Sequence, residues 1–313
     1  MTHSNPILRW CLLLATLVAL GSCGGTPMAE PAVVDEPPAP APRNAAELAS
    51  AIVHAKLTTL IHIDMVRDHP LAPRVAALEA WGPVFDDTGI DPLEDVERAF
   101  VAAANAKDQQ AVIVVAEHHV EAERLKKAMD KLVARSGGKG AWLPDYDVPA
   151  ARVEVKGRES VIIAVTPTVL VVTSEPYAKA AKRLIGTGGL PEPEGPAAII
   201  ATADQPAVTL DAPRVPPLPP TLSTARAEVT FEKGGGADLS IEAQSTTPDQ
   251  ARADAVELTR TVDEATSVKI SVLRVRMFKP VAFRSDGDKV IARRKLSRAE
   301  LDQLLTLAAM LTE

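Results

Sequence analysis

The side chains best able to do chemistry in this 313-residue chain are histidines and acids. Beyond His3 the histidines are His54, His62, His69, His118 and His119, all before residue 120. The β-branched run Thr58–Met65 predicts a strand, which would project His62 and Asp64 from one face. His118 and His119 follow the apolar run Ala111–Ala116, a second predicted strand. Imidazole and carboxylate are zinc ligands, so His62, Asp64 and one of His118 and His119 make a candidate metal set. The spacing matches no motif such as HExxH, and these ligands would converge only through the fold. Surface or loop histidines are the preferred reading, and no cofactor is expected.

Other chemistry is weaker still. The chain carries no GxSxG elbow and no cysteine placed as a nucleophile, so catalysis is not expected. Gly137-Gly138-Lys139-Gly140 and Gly234-Gly235-Gly236 lack the Lys-Ser/Thr ending of a phosphate-binding loop and read as turns. Glu117, Glu121 and Glu123 surround a predicted helix start, where acids oppose the helix dipole.

Charge is unevenly spread. From Lys269 to Arg298 there are ten Lys or Arg and two Asp, in a chain whose overall formal charge is −7. Arg284, Arg293, Arg294, Lys295 and Arg298 are the core of a candidate basic face. Such a face would suit anionic lipid, lipopolysaccharide phosphates or an acidic envelope protein. The competing explanation is a solvated strand edge, charged to prevent edge pairing. Nucleic acid is not an expected partner.

The N-terminus supplies the most specific pattern. An apolar run, Trp10 to Leu20, follows a weakly basic start and is too short to span a bilayer. It ends in Leu20-Gly21-Ser22-Cys23, which resembles the lipobox of bacterial lipoproteins. That resemblance implies cleavage before Cys23, a diacylglyceryl thioether on its sulfur and acylation of the new N-terminus. Several acyl chains on one residue anchor stably, so the implied first partner is the lipid bilayer. Gly24, rather than Asp, after the cysteine implies the outer membrane, facing the periplasm or the cell surface. Cys11 and Cys23 are the two cysteines of the chain, so the domain beyond them must be stable without a disulfide.

Residues 1–22 are thus read as signal peptide and 23–43 as a Pro/Ala-rich tether of polyproline character. The remainder is Val-, Ile-, Leu- and Ala-rich with only 3% aromatics, a packing core with few stacking platforms. Residues 44–190 and 191–313 repeat one rhythm of strand, hairpin, helix, hairpin, helix. Ala111–Leu132 aligns with Ala237–Leu258, and Val169–Leu184 with Val290–Leu305. The expected fold is α+β, antiparallel sheet with helices on one face, in a pseudo-duplicated arrangement.

The segment Leu57–Ser136 adds a second resemblance. Its strand ending at Asp64, its Pro70-Leu71 helix start and its turn Gly89-Ile90-Asp91-Pro92-Leu93-Glu94-Asp95 are similar to predicted envelope lipoproteins of myxobacteria and related Gram-negative bacteria. That likeness implies architecture and no activity. The expectation is a membrane-anchored binding or assembly protein. A metal-dependent periplasmic hydrolase and a lipid carrier between the halves stand as the alternatives.

Overall fold

The computed structural model describes residues 44–76, 85–108, 110–155, 157–193, 195–212, 215–265, 267–270, 273–276 and 281–312. Residues 1–43, which include Cys23 and the segments read from sequence as signal peptide and tether, lie outside them.

The first half opens with α1 (Ala45–Val53), capped by the Asn44 side chain, then β1 (Leu57–His62). Three short helices follow: α2 (Ile63–Arg67), α3 (Ala72–Ala76) and α4 (Pro92–Asp95). Next come β2 (Val96–Ala103), β3 (Val112–His118) and α5 (Ala122–Arg135). A meander of β4 (Ala141–Trp142), β5 (Ala150–Val155), β6 (Arg158–Thr166) and β7 (Val169–Ser174) leads to α6 (Glu175–Ala181). The second half has β8 (Ile199–Asp204), α7 (Pro206–Thr209), β9 (Leu222–Phe231), β10 (Ala237–Ser245) and α8 (Pro248–Ala265). It ends with a separate ribbon of β11 (Ser267–Ile270) and β12 (Leu273–Arg276), then β13 (Arg284–Asp286), β14 (Lys289–Leu296) and α9 (Arg298–Thr312).

Twelve strands form one sheet in the order β13-β14-β10-β9-β8-β1-β2-β3-β7-β6-β5-β4, and every neighbouring pair is antiparallel. The class is α+β, as the sequence predicts. At the centre β1 pairs directly with β8, from Leu57 opposite Ala203 to Ile61 opposite Ile199. Outward from that seam the order is β9-β10-β14-β13 on one side and β2-β3-β7-β6 on the other. The halves therefore meet in a hydrogen-bonded strand pair, and no cleft separates them along this seam.

Alternation divides the core between two faces. The upper face lies under α5 and α8. There Met129 and Leu132 cover Ala151, Val153 and Ile162, while Ala251, Ala255 and Leu258 cover Leu239, Ile241, Val290 and Ala292. The lower face of the first half lies under α1 and α6, on Phe100, Ile113, Val115, Val161, Ile163 and Val171. Each of these fully buried aliphatic side chains is worth roughly 1.5–3 kcal/mol of transfer energy. Helices thus cover both faces of the first half, against the one-face expectation. The reason is in β6 and β7, whose residues are apolar at every position from Val161 to Val165 and from Val169 to Val172, so both sides need cover. A smaller apolar cluster of Ile63, Val66, Ala72, Leu93 and Val96 closes one end of the upper face.

Two other expectations shift. The strand predicted over Thr58–Met65 ends at His62, and Ile63–Arg67 is helical. Arg67 donates to the Leu93, Glu94 and Val96 carbonyls, which ties the end of that helical turn to α4 and the start of β2. The helix predicted over Pro70–Trp81 runs from Ala72 to Ala76; Pro70 and Leu71 form a turn before it, and residues 77–81 lie outside the described residues.

Candidate functional site

The predicted metal set does not converge. His62 ends β1 on the lower face, 1% exposed, opposite Arg98. Asp64 sits in the first turn of α2 and points into solvent. His118 ends β3 on the upper face, opposite Val96, while His119 is exposed with its Nδ1 3.8 Å from Glu97. Because the strand stops at His62, Asp64 never shares its face, and the sheet itself separates His62 from His118. Among the described residues, no group of three or more His, Cys, Asp or Glu is placed to hold a metal ion. Burial pulls the pKa of His62, His69 and His118 below the ordinary value.

Glu117 is not a helix-start acid. It lies on β3, and its Oε2 accepts from Arg98 Nε at 2.5 Å while Oε1 accepts the Leu190 N–H at 2.6 Å. Arg98 also donates to the Pro191 carbonyl at 2.6 Å. This pair, 17% and 12% exposed, ties the connection between the halves to the lower face. Gly189 packs closely here, and a Cβ on it would force the hydrogen-bonded Glu117 carboxylate to shift. Glu121 and Glu123 do stand at the start of α5.

The turn at Gly89–Asp95 is explained by its hydrogen bonds. Asp91 Oδ1 accepts the N–H groups of Leu93 and Glu94, and Asp95 Oδ2 accepts the Asp91 N–H. Arg124 on α5 then grips Asp95 at 2.7 and 2.6 Å and the Gly89 carbonyl at 2.9 Å. The motif is a structural clamp.

The glycine runs are turns. Gly137–Lys139 is a single 3-10 turn, and Gly234–Gly236 closes the hairpin of β9 and β10.

What remains is the lower face of the second half. Among the described residues, β8, β9, β10, β14 and β13 carry no helix there, and alternation turns polar side chains outward. Adjacent rows run Thr202, Arg226, Glu242, Ile291, Arg284 and Ile200, Glu228, Ser240, Arg293. Asp204, Glu228, Asp238, Glu242 and Asp286 are matched in number by Arg226, Arg284, Lys289, Arg293 and Lys295. Lys289 bonds to Glu242 at 2.7 Å, Arg226 to Glu228 at 2.7 Å and Lys295 to Glu232 at 2.6 Å. Hydrogen bonding to those carboxylates raises the pKa of Lys289 and Lys295. Arg284 and Arg293 are exposed and have no acidic partner among the described residues.

The predicted basic face is therefore divided. Arg284, Arg293 and Lys295 share the open face. Arg294 points to the upper face, where it pairs with Glu300 of α9. Arg298 lines an open trough with Pro70, Leu71, Arg74 and Asp302. The acids that interleave with the bases come from β8, β9, β10 and β13, so the charge of the bases on the open face is offset locally.

Sequence reasoning did not find the Arg98–Glu117 pair or the fully buried Asp254. Asp254 accepts from Thr221, Ser245 and Gln250 at 2.7, 2.5 and 2.8 Å. The open face did have a signal, in the polar alternation Thr224-Arg226-Glu228-Thr230 and Asp238-Ser240-Glu242-Gln244. Comparison with protein-family models, with curated proteins and with solved structures gives no match.

Proposed function

We propose that this chain is a lipid-anchored, non-catalytic binding protein of a bacterial cell envelope, using the open lower face of the second half. Leu20-Gly21-Ser22-Cys23 and the proline-rich tether support the anchor, with the outer membrane as its site. The observation that carries the binding reading is the asymmetry of the lower face. Among the described residues, helices cover it over an apolar core in one half and leave it bare and polar in the other, where Arg284 and Arg293 have no acidic partner.

Charge decides between partners. A uniformly anionic lipid or lipopolysaccharide surface would meet as many acids as bases on this face, so attraction and repulsion cancel. A protein can place its acids opposite Arg284 and Arg293 and its bases elsewhere. The partner is an envelope protein with an acidic patch.

Two measurements test this. Cys23→Ser moves the protein from the membrane fraction to the soluble fraction; undiminished membrane retention refutes the anchor. Flotation of the full chain with its acyl group removed distinguishes the partners. Little binding to phosphatidylglycerol vesicles at low salt is expected, and strong binding that Arg284→Glu/Arg293→Glu abolishes would favour lipid instead.

The shared strand order around the β1–β8 seam supports a duplicated ancestral unit. Superposing β1-β2-β3-α5-β6-β7 on β8-β9-β10-α8-β13-β14 in an experimental structure tests it, and strands that fail to overlay would argue against it.

A further inference from the structure

Two turns at one end of the sheet are built alike around a buried histidine. His69 Nδ1 accepts the Leu71 N–H at 3.3 Å, just before α3, and His118 Nδ1 accepts the Val120 N–H at 3.2 Å, just before α5. The residues are 6% and 4% exposed. An accepting Nδ1 carries no proton, so the single proton of each neutral ring is on Nε2. His118 Nε2 has no hydrogen-bond partner among the described residues, and His69 Nε2 makes no bond of good geometry there, although the Gly235 and Gly236 backbone lies close enough to favour a charged ring. The next proton must go to Nδ1, where it meets a backbone donor. One N–H···N bond is lost, and two donors then face each other.

The surroundings compensate little. His69 stacks on Phe231 with centroids 4.4 Å apart, faces the Arg298 charge from α9, and has the Gly235 and Gly236 backbone as its favourable neighbour. His118 faces Asp95 of α4, whose carboxylate is already held by Arg124 of α5 and the Asp91 N–H. It also faces His119, a second cation once protonated, which in turn lies near Glu97. His62 is buried too, but on the lower face, where it feels the charges of Arg98 and Glu117 and, from the helix that follows it, Asp64, and it stands apart from this pair.

Both turns border the same cluster of Ile63, Val66, Ala72, Leu93 and Val96, which Phe231 joins from the second half. We propose that His69 and His118 form an acid-sensitive latch: transfer of one proton from hydronium to each Nδ1 breaks both turns and opens this end of the upper face. The sheet stays paired while α2, α3 and α4 come free. The sign follows from burial. Both folded-state pKa values are lowered below the unfolded value near 6.5, so the stability that neutral rings give is complete above about pH 6.5. It is lost as pH falls from there through the folded-state values.

Hydrogen exchange of the full chain, corrected for intrinsic rates, tests the latch between about pH 7.5 and about pH 5. Protection over residues 62–72, 92–96 and 118–122 is expected to fall by about tenfold or more per pH unit in the titrating range, while β9 and β10 keep theirs. In the double variant His69→Asn/His118→Asn, an amide oxygen can accept the same N–H two residues on without titrating. Its protection is expected to stay level across that range. Unchanged protection in the wild type, or an equal loss in the variant, would overturn the latch. Nitrogen NMR of the wild type gives a check that needs no variant: both rings must show the Nε2–H tautomer at neutral pH and titrate below 6.5, and an Nδ1–H tautomer in either rules the mechanism out.

Discussion

Arg98 and Glu117 show how much one residue pair can hold. Nineteen positions apart in the chain, they become neighbours because β2 and β3 pair, and together they grip Leu190 and Pro191 where the halves connect. Replacing Arg98 by Met leaves a mostly buried carboxylate with the Leu190 N–H as its remaining bond. Loss of one partner from a pair this buried costs about 2–4 kcal/mol, read from the midpoint of urea unfolding. A change under about 0.5 kcal/mol would mean that the pair is solvent-screened. Nothing in the local sequence marks these two residues, because their meeting is set by strand register. The histidines illustrate the opposite difficulty. Their residue type made them conspicuous as ligands, yet His62 and His118 are held on opposite faces by the sheet.

At the scale of elements, local signals were legible where the physics is local. Thr247 accepts the Gln250 N–H at 3.2 Å, and Ser297 with Glu300 forms the reciprocal capping box that a Ser-x-x-Glu spacing signals. Ser297→Ala is expected to cost about 1 kcal/mol, and a neutral result in thermal unfolding would deny the cap a role. Thr166-Pro167-Thr168 and Asp286-Gly287-Asp288 likewise mark the turns of β6–β7 and β13–β14 in the sequence, the latter needing the φ of +60° that glycine tolerates. Ser174 has the residue type and position of a cap for α6, but its hydroxyl donates to the Gln110 carbonyl at 2.5 Å on a neighbouring segment. Tertiary contact overrides the local rule there. At Ile63–Arg67 a segment with β-branched Ile63 and Val66 is helical, its end tied by Arg67 to α4 and the start of β2.

At the scale of the whole molecule, the antiparallel pattern and the rhythm of the halves could be read from alternation. That the halves join edge to edge through β1 and β8 could not, since no local pattern chooses a strand's distant neighbour. The outer edges are two- and three-residue strands, Ala141–Trp142 and Arg284–Asp286, too short to recruit another strand readily. Binding by strand addition is thereby discouraged, which leaves the open polar face as the broad unoccupied surface. The most direct measurement of its role is photo-crosslinking in the native cell from Ile291, at the centre of that face. Val256 serves as the control, 72% exposed on α8 above the opposite face. The predicted result is one envelope protein trapped from position 291, absent from position 256 and lost with Arg284→Glu/Arg293→Glu. Equal capture from both positions, or none from 291, would contradict the proposed binding face.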